Sequence, residues 1–287
     1  MFPTFLVIGA KKAGTTSLHN YLGEHPEIFM SALKEPTYFT LTDPRPPGMR
    51  ALDRQMVSTR EEYELLFEGV DGERAVGESS TAYLPCPDAA GRIHDEIPDA
   101  KLIVVLRNPS DRTDSAHRFY VFKGYETLSL DDAIDEELAG GSWRTYVGWS
   151  MYADAICRYR ELFGANQVKV ILSNDLDTQP REVLGDVFEW LDVNSSFTPD
   201  VSRRHNVTPT RPQSSPAGAR SLLHAAMPKR ARERIRHRQR DEKPTRSTPL
   251  SEETRQRLVG LFADDIRRVE RLIDRDLSTW LTVHSER

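Results

Sequence analysis

Short apolar runs alternate along the chain with segments in which apolar residues recur every three or four positions. An unbroken apolar run is typical of a buried strand, and the longer spacing is typical of an amphipathic helix. The pattern predicts strands at 5–8, 75–78, 101–106 and 168–172. It predicts helices at 16–25, 59–67, 89–96, from 110 onward, and at 152–163, 183–191 and 252–273. This alternation indicates an α/β fold with a central parallel sheet and helices on both of its faces, in three layers.

The first apolar run, residues 5–8, leads into a loop that contains Gly9 and Gly14. Glycines allow a tight turn and a close approach to an anion, and the amides that open the following helix would face that anion. The loop therefore predicts a phosphate-binding site in a P-loop-like fold. In an ATP or GTP P-loop a lysine directly follows the second glycine, whereas here Thr15 follows it and Lys12 precedes it.

The length and charge of the chain limit the kinds of protein it can be. A chain of 287 residues suits one large α/β domain, so we expect a single domain over 1–287. Its 39 Lys and Arg against 44 Asp and Glu give a net charge of -5, which argues against binding to nucleic acid by bulk electrostatics. The segment 198–250 differs from the rest of the chain, because it is basic and rich in Pro, Ser and Thr. It is expected to face an anionic cofactor or the substrate that accepts a transferred group.

Cys86 and Cys157 are the two cysteines, too few for a disulfide framework. We therefore expect a reducing, cytoplasmic location. No apolar stretch approaches the length of a membrane span, and the run 5–8 is too short to be the core of a signal peptide. The sequence pattern does not indicate an oligomeric state.

Polar residues follow several predicted strands at the edge where ligands bind in open α/β sheets. Glu78 ends one strand and Arg107 follows the strand 101–106. A magnesium-dependent phosphoryl transferase would place an aspartate there to hold the metal, whereas an arginine binds an anion. Ser115, early in the next helix, adds a hydroxyl beside the same anion. The sequence therefore predicts two anion sites, one at the loop and one at Arg107 and Ser115, and no metal.

With these motifs the sequence resembles the sulfotransferases that use 3′-phosphoadenosine 5′-phosphosulfate (PAPS), and most closely their heparan-sulfate N- and 3-O-sulfotransferase branch and its bacterial relatives. The Lys-Ala-Gly-Thr-Thr segment at 12–16 is similar to the K-x-G-T-T/R loop of that family. The resemblance implies that this loop holds the 5′-phosphosulfate, through Lys12, Ala13, Gly14, Thr15, Thr16 and Ser17. It also implies that Arg107 and Ser115 bind the 3′-phosphate, and that the segment 203–212 closes over the nucleotide.

Two further segments resemble the acceptor side of the family. Residues 34–39 are similar to the K-E-x-x-F/Y-F segment beside the acceptor cleft, which implies that Lys34 and Glu35 contact the substrate. Residues 78–83 are similar to the E-K-x-x-A/x-Y-F segment, and this implies that Glu78 is the catalytic base. Ser79 stands where that motif has a lysine.

The chemistry expected from this resemblance is an in-line displacement that needs no metal. Negative charge builds on the leaving phosphate oxygen, where Lys12 and helix amides would stabilise it. Glu78 would take the proton from an acceptor hydroxyl or amine, on a carbohydrate or a glycosylated small molecule.

Two other functions remain open on the sequence alone: a P-loop-like nucleotide or small-molecule kinase, and a nucleotide- or glycan-binding module without catalysis. Cytosolic small-molecule sulfotransferases use a histidine as base, but His117 lies two positions beyond Ser115 on another helix face and is interpreted as structural. The aromatic residues Trp143, Tyr146 and Trp149 fit core packing better than an acceptor site.

Overall fold

The computed structural model describes residues 1–40, 57–141, 145–202 and 250–283. They contain a five-stranded sheet in which every pair of neighbouring strands is parallel. The strands are β1 (Phe5–Gly9), β2 (Ile28–Met30), β3 (Ala75–Ser79), β4 (Lys101–Leu106) and β5 (Val168–Leu172). Their order across the sheet is β2-β3-β1-β4-β5, so the first strand lies at the centre.

Helices connect the strands and flank the sheet. They are α1 (Thr15–Gly23), α2 (Arg60–Leu65), α3 (Ala89–Glu96), α4 (Pro109–Lys123), α5 (Leu130–Leu138), α6 (Ala153–Phe163), α7 (Ser173–Thr178), α8 (Pro180–Trp190) and α9 (Glu252–Ile273). Short 3₁₀ turns occur at Tyr38–Thr40, Gly148–Ser150, Ala165–Gln167 and Ser278–Leu281. The predicted α/β fold with a central parallel sheet is confirmed.

The long apolar runs were predicted more accurately than the short elements. All five residues of β1 are buried, as are five of the six residues of β4, which explains why these strands read as unbroken apolar runs. β2 has only three residues, too few to show a period. α5 carries a start signal that the apolar spacing did not reveal, because Ser129 accepts a hydrogen bond from the Asp132 amide at its N-cap.

Helix α9 joins the C-terminal part of the chain to the core. Its residues Leu258, Phe262, Ile266 and Val269 are buried at a helical spacing, and the helix packs against α6 and α4. The carboxylate of Asp265 accepts hydrogen bonds from the amides of Tyr152 (2.7 Å) and Ala153 (3.1 Å) at the start of α6. α9 therefore fixes the position of α6 by both apolar packing and hydrogen bonds.

Some predictions fall on parts of the chain outside the described residues. These include Trp143, the loop 203–212 and most of the basic segment 198–250, so a single domain over 1–287 stays a prediction. Within the ranges that are described, each helix is too short or too polar to cross a membrane.

Candidate active site

The strand order brings the chemistry-bearing segments of the sequence together. β1 lies between β3 and β4, so the segments that follow these three strands meet at the carboxyl edge of the sheet. Backbone hydrogen bonds hold them there: the Ser80 amide donates to the carbonyl of Val7 (3.0 Å), and the Ala10 amide donates to the carbonyl of Val105 (2.8 Å). The loop after β1, the Glu78 segment and Arg107 thus line one edge.

The loop after β1 opens directly into α1. Gly14 is the N-cap and has a φ of 99°, a backbone conformation that strains any residue with a Cβ. Its carbonyl accepts hydrogen bonds from the amides of Ser17 (3.0 Å) and Leu18 (3.2 Å), which close the first helical turn. Lys12 also has a positive φ, 72°. The loop is therefore wound tightly at the positive end of α1, as anion binding requires.

Cationic side chains gather beside this loop. An Nη of Arg107 donates to the carbonyl of Lys12 (3.2 Å), and the Nζ of Lys12 lies 4.5 Å from the centre of the Phe119 ring. Burial, together with the neighbouring charges of Lys11, Arg107 and Arg112, lowers the pKa of Lys12 to about 8. A bound anion would relieve this repulsion, so the charges of the site favour an anionic ligand.

Arg107 and Ser115 are both held by α4 and its surroundings. Asn108 caps α4 by accepting from the Ser110 amide, and the hydroxyl of Tyr152 donates to the carbonyl of Arg107 (3.0 Å). Ser115 is buried two turns into the helix. Among the described residues, no carboxylate oxygen lies within 4.0 Å of the Arg107 guanidinium, which leaves its charge available to a ligand.

Arg112, which the sequence analysis did not single out, lies beneath this cluster. Its side chain is 1% exposed and donates to the Tyr146 carbonyl (3.1 Å) and the Ser150 hydroxyl (3.0 Å). Burial lowers its pKa. It ties α4 to the turn at 148–150, and its positive charge is close enough to Lys12 to lower the pKa of that lysine.

Glu78 ends β3 but does not reach the surface. Its side chain is fully buried, and its two oxygens accept hydrogen bonds from the hydroxyls of Tyr63 (3.2 Å) and Ser80 (2.9 Å). Burial raises the pKa of Glu78 to about 7, against the lowering effect of these hydroxyls. An acceptor molecule cannot touch this carboxylate in the arrangement described, which argues against the predicted role of Glu78 as the base.

Glu35 is the carboxylate that does reach the surface at this edge. Its side chain is 32% exposed and pairs with the ammonium of Lys34 at 2.7 Å. Thr81 donates to it through both its amide (2.8 Å) and its hydroxyl (3.0 Å). The predicted substrate contacts Lys34 and Glu35 are thus one ion pair, fixed to the segment that follows β3.

The end of β3 also fixes the backbone that carries Glu35. The Glu35 amide donates to the Ser79 carbonyl (2.8 Å), and the Thr37 amide donates to the Ser80 hydroxyl (3.0 Å), which in turn donates to Glu78. Glu35 and Thr37 have φ values of 64° and 56°. Such left-handed backbone costs about 1–2 kcal/mol for a residue other than glycine and persists only when its surroundings hold it.

A histidine that the sequence analysis did not single out lies between the loop and Glu35. The Nδ1 of His19, on α1, lies 2.9 Å from the hydroxyl oxygen of Ser79. Burial lowers the pKa of His19 to about 4; the charge of Lys34 also lowers it and that of Glu35 raises it. The one signal in the sequence is that His19 comes four residues after Thr15, on the same helix face.

The remaining candidates from the sequence have structural contacts. His117 hydrogen-bonds the carbonyl of Leu128 (3.0 Å), in agreement with a structural role. Tyr146 is buried, and its hydroxyl donates to Glu126 (2.9 Å). Trp149 differs, because the ammonium of Lys11 lies 5.4 Å from its ring centre. Trp149 and Thr81 both line a small recess.

A family model described as "Sulfotransferase family" matches residues 3–199, more than half of the chain and all of the site described above. The chain belongs to the sulfotransferase family. The resemblance found in the motifs is confirmed. Helix α9 lies beyond the part of the chain that the family model matches.

Curated relatives of the chain include two mammalian proteins. It is 35% identical over 206 residues to heparan sulfate glucosamine 3-O-sulfotransferase 6 of Mus musculus, a match that covers 69% of this chain and 54% of that protein. It is 30% identical over 210 residues to bifunctional heparan sulfate N-deacetylase/N-sulfotransferase 3 of Homo sapiens, covering 67% of this chain and 22% of that protein. The matches thus span about half of one relative and less than a quarter of the other.

A solved structure extends the similarity over nearly the whole chain. The crystal structure of a sulfotransferase from Alicyclobacillus acidocaldarius aligns with a TM-score of 0.77 and 31% identity, covering 98% of this chain and 100% of that one. A sulfotransferase domain from the curacin biosynthetic pathway aligns with a TM-score of 0.50 at 15% identity, a likeness of fold alone. The P-loop-like α/β fold is therefore shared with known sulfotransferases.

Proposed function

We propose that the protein transfers a sulfuryl group from PAPS to a hydroxyl or amine of an acceptor. The observation that carries this proposal is that the site has a cationic side, at the loop 12–17 and Arg107, and a side with a carboxylate, at Glu35. Lys12 and Arg107 place two positive charges close together at the start of α1. Glu35 places a partly exposed carboxylate beside the segment that follows β3. Membership of the sulfotransferase family supports sulfuryl transfer as the reaction.

The donor side of the site fits a nucleotide that is anionic at both ends. Residues 12–17 would hold the 5′-phosphosulfate through the amides of α1 and the ammonium of Lys12. Arg107 and Ser115 would bind the 3′-phosphate. PAPS supplies the reactive group: the acceptor atom forms a bond to sulfur as the bond from sulfur to the 5′-phosphate oxygen breaks, leaving adenosine 3′,5′-bisphosphate (PAP).

Protein groups handle the charge and the proton of this step. Lys12 would neutralise the negative charge that builds on the departing phosphate oxygen. The acceptor proton passes to a carboxylate, and we assign this role to Glu35 because it is partly exposed and held in place by Thr81. Glu78 then acts as a positioning residue, since its hydrogen bond from Ser80 supports the turn that carries Glu35.

The acceptor is proposed from chemistry and from the relatives. The proteins that match this chain include enzymes named for heparan sulfate, a carbohydrate with hydroxyl and amine groups. A carbohydrate or a glycosylated small molecule is therefore the acceptor class that we propose. A cytoplasmic location stays a prediction from the sequence.

Calorimetric titration with PAP and with ATP, each with magnesium and with EDTA, tests the proposal. We expect micromolar binding of PAP that EDTA does not change, and much weaker binding of ATP. Tighter binding of ATP that requires magnesium would instead favour the kinase. If PAP binds but no acceptor from a panel of amino sugars, glycosides and phenols is sulfated by PAPS, the non-catalytic binding module is favoured.

A further inference from the structure

His19 lies near both parts of the proposed site, the start of α1 and the ion pair of Lys34 and Glu35. It lies on α1, one turn after the residues that open the helix, and helical side chains lean toward the N-terminus of their helix. On its other side are Lys34 and Glu35, which lie close enough for their charges to shift the pKa of its imidazole. His19 therefore lies on the helix that the loop 12–17 opens, and near the partly exposed carboxylate of Glu35.

The contact with Ser79 decides which ring nitrogen carries the proton. Ser79 is fully buried at the end of β3, and the described residues offer its hydroxyl no acceptor other than Nδ1 of His19, at 2.9 Å. A buried hydroxyl that does not donate costs stability. Ser79 therefore donates to Nδ1, and the neutral ring carries its proton on Nε2.

The Nε2 of His19 has no hydrogen-bond partner in the described parts of the chain. His25 provides a contrast, because both of its nitrogens are used, one by the Asn194 carbonyl and the other by the Glu27 amide. The Nε2–H of His19 is thus a donor whose ring is oriented by Ser79 and that has no acceptor among the described residues. Such a group, next to charged residues of a site, is suited to a ligand.

We propose that His19 is a substrate-contacting residue whose Nε2–H donates a hydrogen bond to a non-bridging oxygen of the sulfuryl group of PAPS. The inference rests on the proposed function. In an in-line displacement the sulfuryl group lies between two atoms: the leaving phosphate oxygen, at the loop 12–17, and the attacking acceptor atom, at Glu35. His19 lies between these same two elements.

A neutral donor suits that place better than a cation. During the displacement, negative charge collects on the leaving phosphate rather than on the sulfuryl oxygens. The leaving phosphate therefore needs the positive charge of Lys12, whereas the sulfuryl oxygens need only a donor that orients them. A cation beside Glu35 would also hold its carboxylate in the charged form and weaken it as a proton acceptor. Ser79 and neutral His19 avoid this second charge next to Lys34.

Two amide substitutions separate the functions of the two ring nitrogens. The side-chain amide of Asn reaches the position of Nδ1 and that of Gln reaches the position of Nε2. His19→Asn therefore keeps an acceptor for the Ser79 hydroxyl and loses the donor to the ligand, whereas His19→Gln keeps that donor. The probes are PAPS, which carries the sulfuryl group, and PAP, which lacks it, each titrated by calorimetry.

We expect His19→Asn to bind PAPS about three- to tenfold more weakly than the wild type, the effect of one hydrogen bond. Binding of PAP should stay within about twofold in every variant, and His19→Gln should restore most of the PAPS affinity. Ser79→Ala, which leaves the imidazole but removes its orienting partner, should weaken PAPS selectively and serves if His19→Asn does not fold.

Other results would overturn the inference. Equal binding of PAPS by His19→Asn and the wild type would do so, as would rescue by Asn rather than Gln, since either result leaves only a structural role for the ring. A parallel loss of PAPS and PAP binding would also contradict it. If the wild type does not bind PAP at all, the proposed function fails and this inference fails with it. If the wild type binds PAP but the variants do not lose PAPS affinity selectively, the inference alone is refuted.

Discussion

The two sides of the site differ in how their charges are balanced. On the donor side, Lys12 and Arg107 stand close to other cations, and the described residues place no carboxylate against the Arg107 guanidinium. On the acceptor side, Glu35 and Lys34 form an ion pair and His19 is neutral at physiological pH. Among the described residues the Arg107 guanidinium is thus open to an anionic ligand, whereas the charges of Glu35 and Lys34 on the acceptor side offset each other.

This difference separates two kinds of effect. Substitutions on the donor side should change the affinity for the nucleotide, because that side is completed by the ligand's charge. Substitutions on the acceptor side should change turnover with little effect on PAP, because PAP has no group that reaches Glu35. The following predictions test whether the two sides separate in this way.

The largest effect is expected at Glu35, the partly exposed carboxylate. Glu35→Gln should lower turnover by about a hundredfold to ten-thousandfold, the usual contribution of a general base, because its amide cannot take the acceptor proton. Affinity for PAP should not change. Steady-state rates with a responsive acceptor, together with calorimetry, measure both quantities.

Glu78→Gln is the matched control for this substitution. It should lower turnover far less, because the amide can still accept a hydrogen bond and support the turn at Glu35. If Glu78→Gln abolishes turnover while Glu35→Gln is active, the two assignments must be exchanged.

The next largest effect is expected at the donor side. Arg107→Ala should weaken PAP binding by about ten- to a hundredfold, because a charge-assisted hydrogen bond to the 3′-phosphate is lost. Arg267→Ala, which removes an exposed arginine paired with Asp264 on α9, is the control for the change in net charge and should leave PAP binding intact. Equal effects of the two substitutions would show that Arg107 acts only through long-range charge.

The buried carboxylate should make stability depend on pH. The pKa of Glu78 is about 7 in the folded protein and near its ordinary value of 4.5 in the unfolded chain. Its stabilising contribution is therefore fully present below the unfolded value and is lost as the pH rises through 7. Between pH 5 and pH 8 the wild type should lose on the order of 2 kcal/mol relative to Glu78→Gln, measured by urea unfolding. Parallel stability curves for the two proteins would contradict the burial of this charge.

The smallest effect concerns the protonation of Lys12. Its pKa of about 8 is lowered by burial and by neighbouring cations, so the ammonium is charged below pH 8 and neutral above it. PAP affinity should fall above pH 8, by at most about tenfold per pH unit, because binding requires the charged form. Lys12→Met should bind PAP more weakly and show no such fall, and a wild-type affinity that stays constant to pH 10 would remove Lys12 from the phosphate site.

The positions of the donor-side residues follow from the sequence more directly than those of the acceptor-side residues, for a physical reason. The loop at 12–17 and Arg107 follow apolar runs whose burial is visible in the sequence, so their place at the sheet edge follows from the α/β pattern. Glu78 and Glu35 are both carboxylates near a strand end, and their exposure depends on what packs over them. Tyr63, which buries Glu78 from α2, is not adjacent to it in any periodic pattern.

The contact between His19 and Ser79 was equally hidden. These residues are sixty positions apart. Ser79 lies in the segment 78–83 that was compared with a family motif, but nothing in that motif points to His19. Their contact arises because β3 lies beside β1, and β1 leads into α1. A pattern along one chain does not reveal such a pair until the order of strands is known.

Helix α9 has a consequence for how the protein can be shortened. The region shared with the family model stops at residue 199, yet Asp265 holds the start of α6, and Tyr152 at that start holds the carbonyl of Arg107. A fragment cut at the end of the shared region would lose this chain of supports along with the apolar face of α9. Truncated forms made for crystallography or screening should therefore retain residues 250–283, although they lie outside the part that defines the family.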